Sequence, residues 1–363
     1  MAQIAHDETR APIVHPSVWT GAEMAASRAW IHPLTDSMIG ELEAALADCM
    51  RRGLHWQQIT KQDFPLEEAG TLLDRVADEL ENGRGMAKLT GLDLARYSPE
   101  ERRSLYYGLM SNLGTPVSMS IDGMMMSDVT DEGAAAADRY GKVDDGDKDF
   151  LSSRARVHST GQLRYHNDRS DVVALLCVAR AKRGGESRIA SVPRIHNEML
   201  RRRPDLLELL FEDYYRSRLG EEFGDNAAWY PIPVFAQQDG HFTAHYSRTF
   251  IEAAQMNAQV PKMRPEQWEA IELMAEIAED EAFETHQEPG EIQLLNNHVT
   301  FHSRTAYEDH PEPERRRLLH RLWLSMPNSR PLPSSFEVLF RDIRPGALRG
   351  GILPRGAAGP VRS

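Results

Sequence analysis

Apolar residues recur at helical spacing through "SMIGELEAALADCMRR" (Ser37–Arg52), with Ile39, Leu42, Leu46 and Met50 on one stripe. A three-to-four-residue period predicts an amphipathic helix, and Gly53 supplies its stop. Leu66–Glu81 and Pro99–Ser111 read the same way, and "GMAKLTGL" (Gly85–Leu92) between them predicts a short strand and turn. The pattern then changes. "DVVALLCVARA" (Asp171–Ala181) is a continuous apolar run, suited to a strand buried on both faces. The segment from Ser191 to Arg218 is helical in two pieces, with Pro204 opening the second. Pro231–Arg248 alternates like a hairpin, with "QQDG" (Gln237–Gly240) at its turn. Pro265–Phe283 is an amphipathic helix whose Trp268, Ile271, Met274 and Ile277 read as core. Ile292–Asp309 and Arg315–Met326 return to strand-like sequence.

Helices therefore fill the start and one long insertion, and strands fill the middle and the end. That order predicts an α+β protein with a β-sandwich core. A single domain is expected over 1–363. It would have an N-terminal arm over 1–35, a helical region over 36–84 and a core over 85–345 interrupted at about 193–290. The Gly-, Pro- and Arg-rich tail reads as loosely packed from Arg344 and flexible over 346–363.

Composition narrows the function. With 41% hydrophobic and 27% charged residues among 363, the chain has a globular profile. Its net charge of −13 argues against a nucleic-acid partner and leaves a small molecule or a metal. Two cysteines, Cys49 and Cys177, make neither a disulfide framework nor a zinc site. The first residues lack the basic-then-apolar pattern of a secretory leader, and no apolar run reaches spanning length. The expectation is a cytoplasmic enzyme with no membrane partner. Its oligomeric state is open, a homo-oligomer included. The acidic stretch Asp131–Asp149 lacks the ligand spacing of an EF-hand and reads as a solvated loop, placed where a lid over a site would lie.

"RYHNDRSD" (Arg164–Asp171) carries the chemistry. Residues two apart in a strand share a face, so His166 and Asp168 point together, with Gln162 and Arg164 beside them. An imidazole and a carboxylate on one face can hold an ion through N and O. A second histidine, His298 or His302, would complete a 2-His-1-carboxylate triad, the donor set of non-haem Fe(II) oxygenases. In "RRRLLHRLWLSM", Arg315, Arg317, Leu319, Arg321 and Trp323 share one face of an extended strand, opposite Leu318, Leu322 and Leu324. Arginine in such a place suits a planar grip on a carboxylate. Met124, Met125, Met126, Trp229 and Tyr230 could line an apolar pocket, but core packing is the favoured reading.

"YHND", "AKRGGESRIAS" (Ala181–Ser191), "NNHVTFHSRTAYED" and "RRRLLHRLWL", in that order over roughly 85–345, resemble the taurine dioxygenase-like (TauD/TfdA) family of Fe(II)- and 2-oxoglutarate-dependent oxygenases. The resemblance implies a double-stranded β-helix, or jelly roll, with helical insertions. It implies His166, Asp168 and His302 as iron ligands, His302 being preferred to His298 because it sets the spacing to Arg317. Arg317 resembles the arginine that binds the distal carboxylate of 2-oxoglutarate. Ser187 stands where the family has a threonine against that carboxylate. Arg321 resembles a position that meets an anionic substrate in some members, and Gln162 one that faces substrate. Arg164 could receive a carboxylate or sulfonate, or pair with a nearby acidic residue. The implied reaction consumes O2 and 2-oxoglutarate, releases succinate and CO2, and hydroxylates an unactivated C–H of a small molecule. A carboxylate at 168 argues against halogenation, because related halogenases carry a small residue there. Two other readings are a cupin-like metal enzyme that uses no 2-oxoglutarate, which would have no need of Arg317, and a non-catalytic jelly-roll binding protein.

Overall fold

The computed structural model describes residues 11–133, 135–136, 142–143, 150–151, 153–218 and 228–355. Two sheets lie face to face. Their strands are β1 (Ile31–Pro33), β2 (Met86–Thr90), β3 (Thr115–Val117), β4 (Ser127–Val129), β5 (Leu163–His166), β6 (Val172–Ala179), β7 (Ser187–Ser191), β8 (Phe283–Thr285), β9 (Ile292–Asn296), β10 (Thr300–Arg304) and β11 (Leu318–Ser325). The larger sheet runs β1-β2-β9-β6-β11-β3, with β4 also on β11, and the smaller runs β8-β7-β10-β5. Only the β1–β2 pair is parallel within these two sheets. This is the jelly roll with helices outside it.

Strand alternation explains the layers. In β6, Val172, Ala174 and Leu176 pack outward against the N-terminal helices, and Val173 packs inward with Leu295, Trp323 and Met86. Ile189 and Phe283 of the smaller sheet meet that inner cluster. The central strands thus bury both faces, which is why their sequence reads as an unbroken apolar run. The outer layer over the large sheet is built from Asp36–Arg51, Glu68–Glu81 and Pro99–Leu113. The last opens on a Ser98–Glu101 capping box with Pro99 in its first turn. Over the small sheet, Val192–Arg202, Pro204–Leu209 and Pro265–Asp280 bury Ile195, Met199, Leu206, Ile271, Met274 and Ile277 against Tyr165, Ala190 and Phe301. Each fully buried Leu or Ile in these seams contributes on the order of 1.5–3 kcal/mol.

The structure shifts several details. The first long helix buries Met38, Leu42, Ala45, Leu46 and Cys49, and Met50 is exposed. Its apolar stripe therefore starts one residue earlier than Ile39. The hairpin is Phe235–Gln238 with His241–Ala244, turning at Asp239 and Gly240 with φ of 51° and 78°. That double positive φ is the two-residue turn matched to strand twist. Trp229–Pro233 pairs instead with Asp213–Ser217. Arg315 sits in an exposed turn before β11, off the inward face. Met126 and Tyr230 are core, and Met124 and Met125 pack against core. In the arm, Trp19, Met24 and Trp30 are buried on the inner cluster; Met24 lies in a short helix (Gly21–Ala26), and β1 follows Trp30.

The largest correction concerns the C-terminal tail, which is held firmly as far as it is described. Arg349 is fully buried and donates from Nε to Asp171 Oδ1 at 2.8 Å. Gly351 N donates to Arg169 O at 2.6 Å and Ile352 N to Ser118 O at 2.7 Å. Gly350 and Gly351 both have positive φ, and a Cβ on either would fall within 2.8 Å of a backbone oxygen. Residues 356–363, and most of the acidic stretch with its proposed lid, lie outside the described residues. Among the described residues no helix is long and apolar enough to cross a membrane.

Candidate active site

β5 ends at His166, whose Cα partner on β10 is His302, and the two rings sit 4.2 Å apart. Asp168 follows in the loop leading to β6. One ligand atom from each of His166, Asp168 and His302 lies within 4.8 Å of the others, and all three residues are buried. The carboxylate reaches toward both rings, Oδ1 4.0 Å from His166 Nε2 and Oδ2 3.9 Å from His302 Nε2. His166 Nδ1 lies 2.9 Å from Arg164 O, a contact that puts the proton on Nδ1 and leaves the Nε2 lone pair facing Asp168.

Electrostatics agree with a metal centre. Burial, and then the neighbouring His166, push His302 down to about 3; burial likewise lowers His166. Both rings are therefore neutral donors at neutral pH. Burial opposes ionisation of Asp168, but Arg321, His302 and His166 together hold its carboxyl below the ordinary range. Asp168 Oδ2 is buried without a hydrogen-bond partner, and the nearest guanidinium nitrogen, Arg321 Nη1, is 3.8 Å from Oδ1. A buried carboxylate oxygen left open between two neutral imidazoles is what a divalent cation would satisfy. The donor set fits Fe(II).

Two asparagines that sequence reasoning passed over hold the loop. Asn167 Nδ2 donates to Asn297 O at 2.5 Å and Thr300 O at 2.8 Å, while its Oδ1 accepts from Tyr246 N at 2.8 Å. Asn297 Oδ1 accepts from Asp168 N at 3.1 Å, and Asn297 Nδ2 donates to Ser170 O at 3.0 Å. The signal was present in "HND", where a side-chain amide sits between the two candidate ligands. His298 is fully engaged elsewhere. Its Nε2 is 2.9 Å from Asp171 Oδ1, its Nδ1 is 2.8 Å from Thr243 Oγ1, and burial lowers it to about 4. His298→Ala is thus expected to keep iron while losing about 1–3 kcal/mol of stability in urea denaturation. Iron lost in that variant and kept in His302→Ala would reverse the assignment.

Beyond the triad, β11 brings in Arg321, and Arg317 stands immediately before its first residue. Arg321 lines the cavity over His166 and Asp168, together with Met119, Arg169, His245, Phe250, Trp323 and Ile352. His245 is buried, with neither ring nitrogen hydrogen-bonded. Arg317 lies four residues back along the chain, in a second small cavity with Cys177, Gly185, Ser187 and Leu319. Its Nη1 has no hydrogen-bond partner, and among the described residues no carboxylate pairs with it. Gly185, at φ 79°, lets the backbone pass so close that a Cβ would fall 3.2 Å from Arg317 Nε. A buried guanidinium without a counter-charge is costly, so this cavity is suited to an anion. Gln162 and Arg164 do not join the site. Gln162 is exposed, and Arg164 Nη1 pairs with Glu252 Oε2 at 2.8 Å on the surface.

A jelly roll that presents two histidines and an aspartate inside its mouth, with two arginines behind them, defines a non-haem Fe(II) oxygenase. The chain belongs to the taurine catabolism dioxygenase TauD, TfdA family, whose model matches residues 51–323. It is a 2-oxoglutarate-dependent oxygenase that uses Fe(II), 2-oxoglutarate and O2. The chain is similar to FR-33289 synthase of Streptomyces rubellomurinus (strain ATCC 31215), at 29% identity over 333 residues, 90% of this chain and 94% of that protein. It is similar to the taurine hydroxylase-like protein SAT17 of Stachybotrys chartarum (strain CBS 109288 / IBT 7711), at 27% identity over 84% of this chain and 77% of that one. Among solved structures, an asparagine oxygenase with Fe(II), 3-hydroxyasparagine and succinate aligns with a TM-score of 0.59 at 17% identity, covering 82% of this chain and 93% of that one. The non-haem iron oxygenase OrfP with Fe and alpha-ketoglutaric acid aligns at 0.58 and 14% identity, covering 81% and 93%. These two share the fold.

Proposed function

We propose that the protein hydroxylates an unactivated C–H of a small molecule bearing an anionic group, with His166, Asp168 and His302 holding the iron and Arg317, with Ser187 beside it, at the far end of 2-oxoglutarate. The observation that carries this reading is the buried Arg317 behind a buried triad, with no carboxylate paired to it among the described residues. A metal hydrolase or a plain binding protein needs no such cation. In the balanced reaction, one atom of O2 enters the substrate as hydroxyl and the other enters the succinate formed as 2-oxoglutarate loses CO2. Iron would supply the O2 activation coupled to that decarboxylation.

The chain's own residues do the positioning. His166 and His302 present lone pairs because burial keeps them neutral, and Asp168 supplies the one anionic donor. Arg321 and Arg169 line the cavity above the ligands, which supports an anionic substrate group there. His245 offers a neutral donor and acceptor to a polar group of the substrate. Met119, Phe250, Trp323 and Ile352 give that cavity an apolar wall that excludes water. The asparagine oxygenase and OrfP structures contain succinate or alpha-ketoglutaric acid with iron, which supports the cosubstrate assignment.

Anaerobic titration of the Fe(II) protein with 2-oxoglutarate tests the reading. The expected result is a visible metal-to-ligand charge-transfer band that saturates. Arg317→Ala should keep its iron but need about a hundredfold more 2-oxoglutarate, the loss expected for a buried bidentate contact. Absence of the band from wild-type protein would sink the proposal.

A further inference from the structure

Beside Ser187, which lines the Arg317 cavity, stands a buried amide that the reading above leaves without a task. Gln293 on β9 pairs with Leu175 on β6, and Leu175 pairs with Arg321 on β11. Directly paired residues of antiparallel strands point to the same face. Gln293 therefore faces the gap between the sheets, in one row with Leu175 and Arg321. It is 1% exposed. Its Nε2 lies 3.5 Å from Ser187 Oγ, which comes from the opposite sheet and lines the Arg317 cavity. Its Oε1 has no partner.

An inward leucine would fill this place without leaving a polar atom unsatisfied, as Leu175 does beside it. The oxygen and nitrogen of an amide exchange places by a half-turn of the group. In the turned orientation Oε1 accepts the Ser187 hydroxyl proton, and the freed NH2 faces the gap as a donor. Every polar atom of the pair then has a use, provided an anion lies in the gap. We infer that Gln293 is a further cosubstrate-binding residue, donating from its amide to the distal carboxylate of 2-oxoglutarate while Ser187 holds the amide in place.

This inference rests on the proposed cosubstrate reading, and one experiment separates the two. The probes are 2-oxoglutarate and 2-oxopentanoate, a 2-oxo acid of the same chain length without the distal carboxylate, each titrated anaerobically into the Fe(II) protein by its charge-transfer band. Gln293→Leu is expected to weaken 2-oxoglutarate about tenfold and leave 2-oxopentanoate unchanged. Gln293→Glu, which sets a like charge against the carboxylate, should weaken 2-oxoglutarate further with 2-oxopentanoate again unaffected. Ser187→Ala should weaken 2-oxoglutarate in the wild-type background and have little added effect in Gln293→Leu. If Gln293→Leu binds 2-oxoglutarate as tightly as wild type, or loses both acids in equal proportion, Gln293 is a packing residue and the inference fails. A wild-type protein without the band overturns the cosubstrate reading, and this inference with it.

Discussion

Asp168→Ala is expected to lower turnover by at least about a thousandfold and to strip the protein of iron without unfolding it. The carboxylate is the only anionic donor in the triad, and both imidazoles are held neutral by burial. Two neutral nitrogens bind a divalent cation far more weakly than two nitrogens and a carboxylate. The same carboxylate contributes little to the fold. Its Oδ2 makes no hydrogen bond, and Arg321 stands at 3.8 Å from Oδ1, beyond hydrogen-bonding distance. Its removal from metal-free protein should therefore change stability by no more than about 1 kcal/mol. Thermal unfolding with and without anaerobic Fe(II) reads both effects. Wild-type protein should gain about 2.7 kcal/mol at one hundred times the dissociation constant, and the variant nothing. Iron content and activity that survive the substitution would show that the triad lies elsewhere.

The candidate triad was legible because the family spacing of motifs points to His166, Asp168 and His302, which the fold brings together. His302 and His166 are direct partners across β10 and β5, but β5 ends at His166, so the loop after it, and not strand alternation, brings Asp168 beside them. The same alternation misled at Arg164. The β5–β10 register shifts between His302 and Arg304, which pair with His166 and Leu163, so two residues of β5 oppose one of β10. Such a bulge re-aims the side chains it contains, and Arg164 ends on the surface with Glu252. Nothing in a single sequence marks that extra residue.

The tail was misread for a different reason. Glycine, proline and arginine in "RPGALRGGIL" suggest a chain with nothing to bury. In the fold, each glycine marks a close approach of two backbones, and the arginine is the counter-charge of a carboxylate 178 residues away in sequence. Asp171, at the end of the very stretch that holds two candidate iron ligands, was the missing clue. A buried aspartate needs a partner, but composition cannot say which of many arginines supplies it. Helix stripes and core strands are written locally; this pairing is written only in the folded topology.

Arg349→Met should accordingly be among the most destabilising single changes outside the site, costing about 3–5 kcal/mol in urea denaturation. Asp171 is 1% exposed. It accepts from Arg349 Nε at 2.8 Å, His298 Nε2 at 2.9 Å and Met326 N at 2.9 Å. Removing the guanidinium leaves a buried carboxylate with less charge compensation than its desolvation demands. The pH dependence follows from the sign of the shift. Burial opposes ionisation of Asp171, but His298, Arg349 and the Met326 amide outweigh it and lower its pKa in the folded state. A depressed carboxylate contributes stability above its unfolded pKa of about 3.9 and loses that contribution as pH falls toward the folded value. In Arg349→Met the folded pKa rises, so acid unfolding should begin at higher pH than in wild type. Removing both charges with Asp171→Asn and Arg349→Met together should recover part of the loss, since the penalty lies mainly in the unpaired charge. Because the tail carries Ile352 into the wall of the triad cavity, the single variant should also consume 2-oxoglutarate without hydroxylating substrate, as water reaches the iron. An Arg349→Met protein with wild-type stability and an unshifted acid transition would mean that the tail is held by its backbone hydrogen bonds alone.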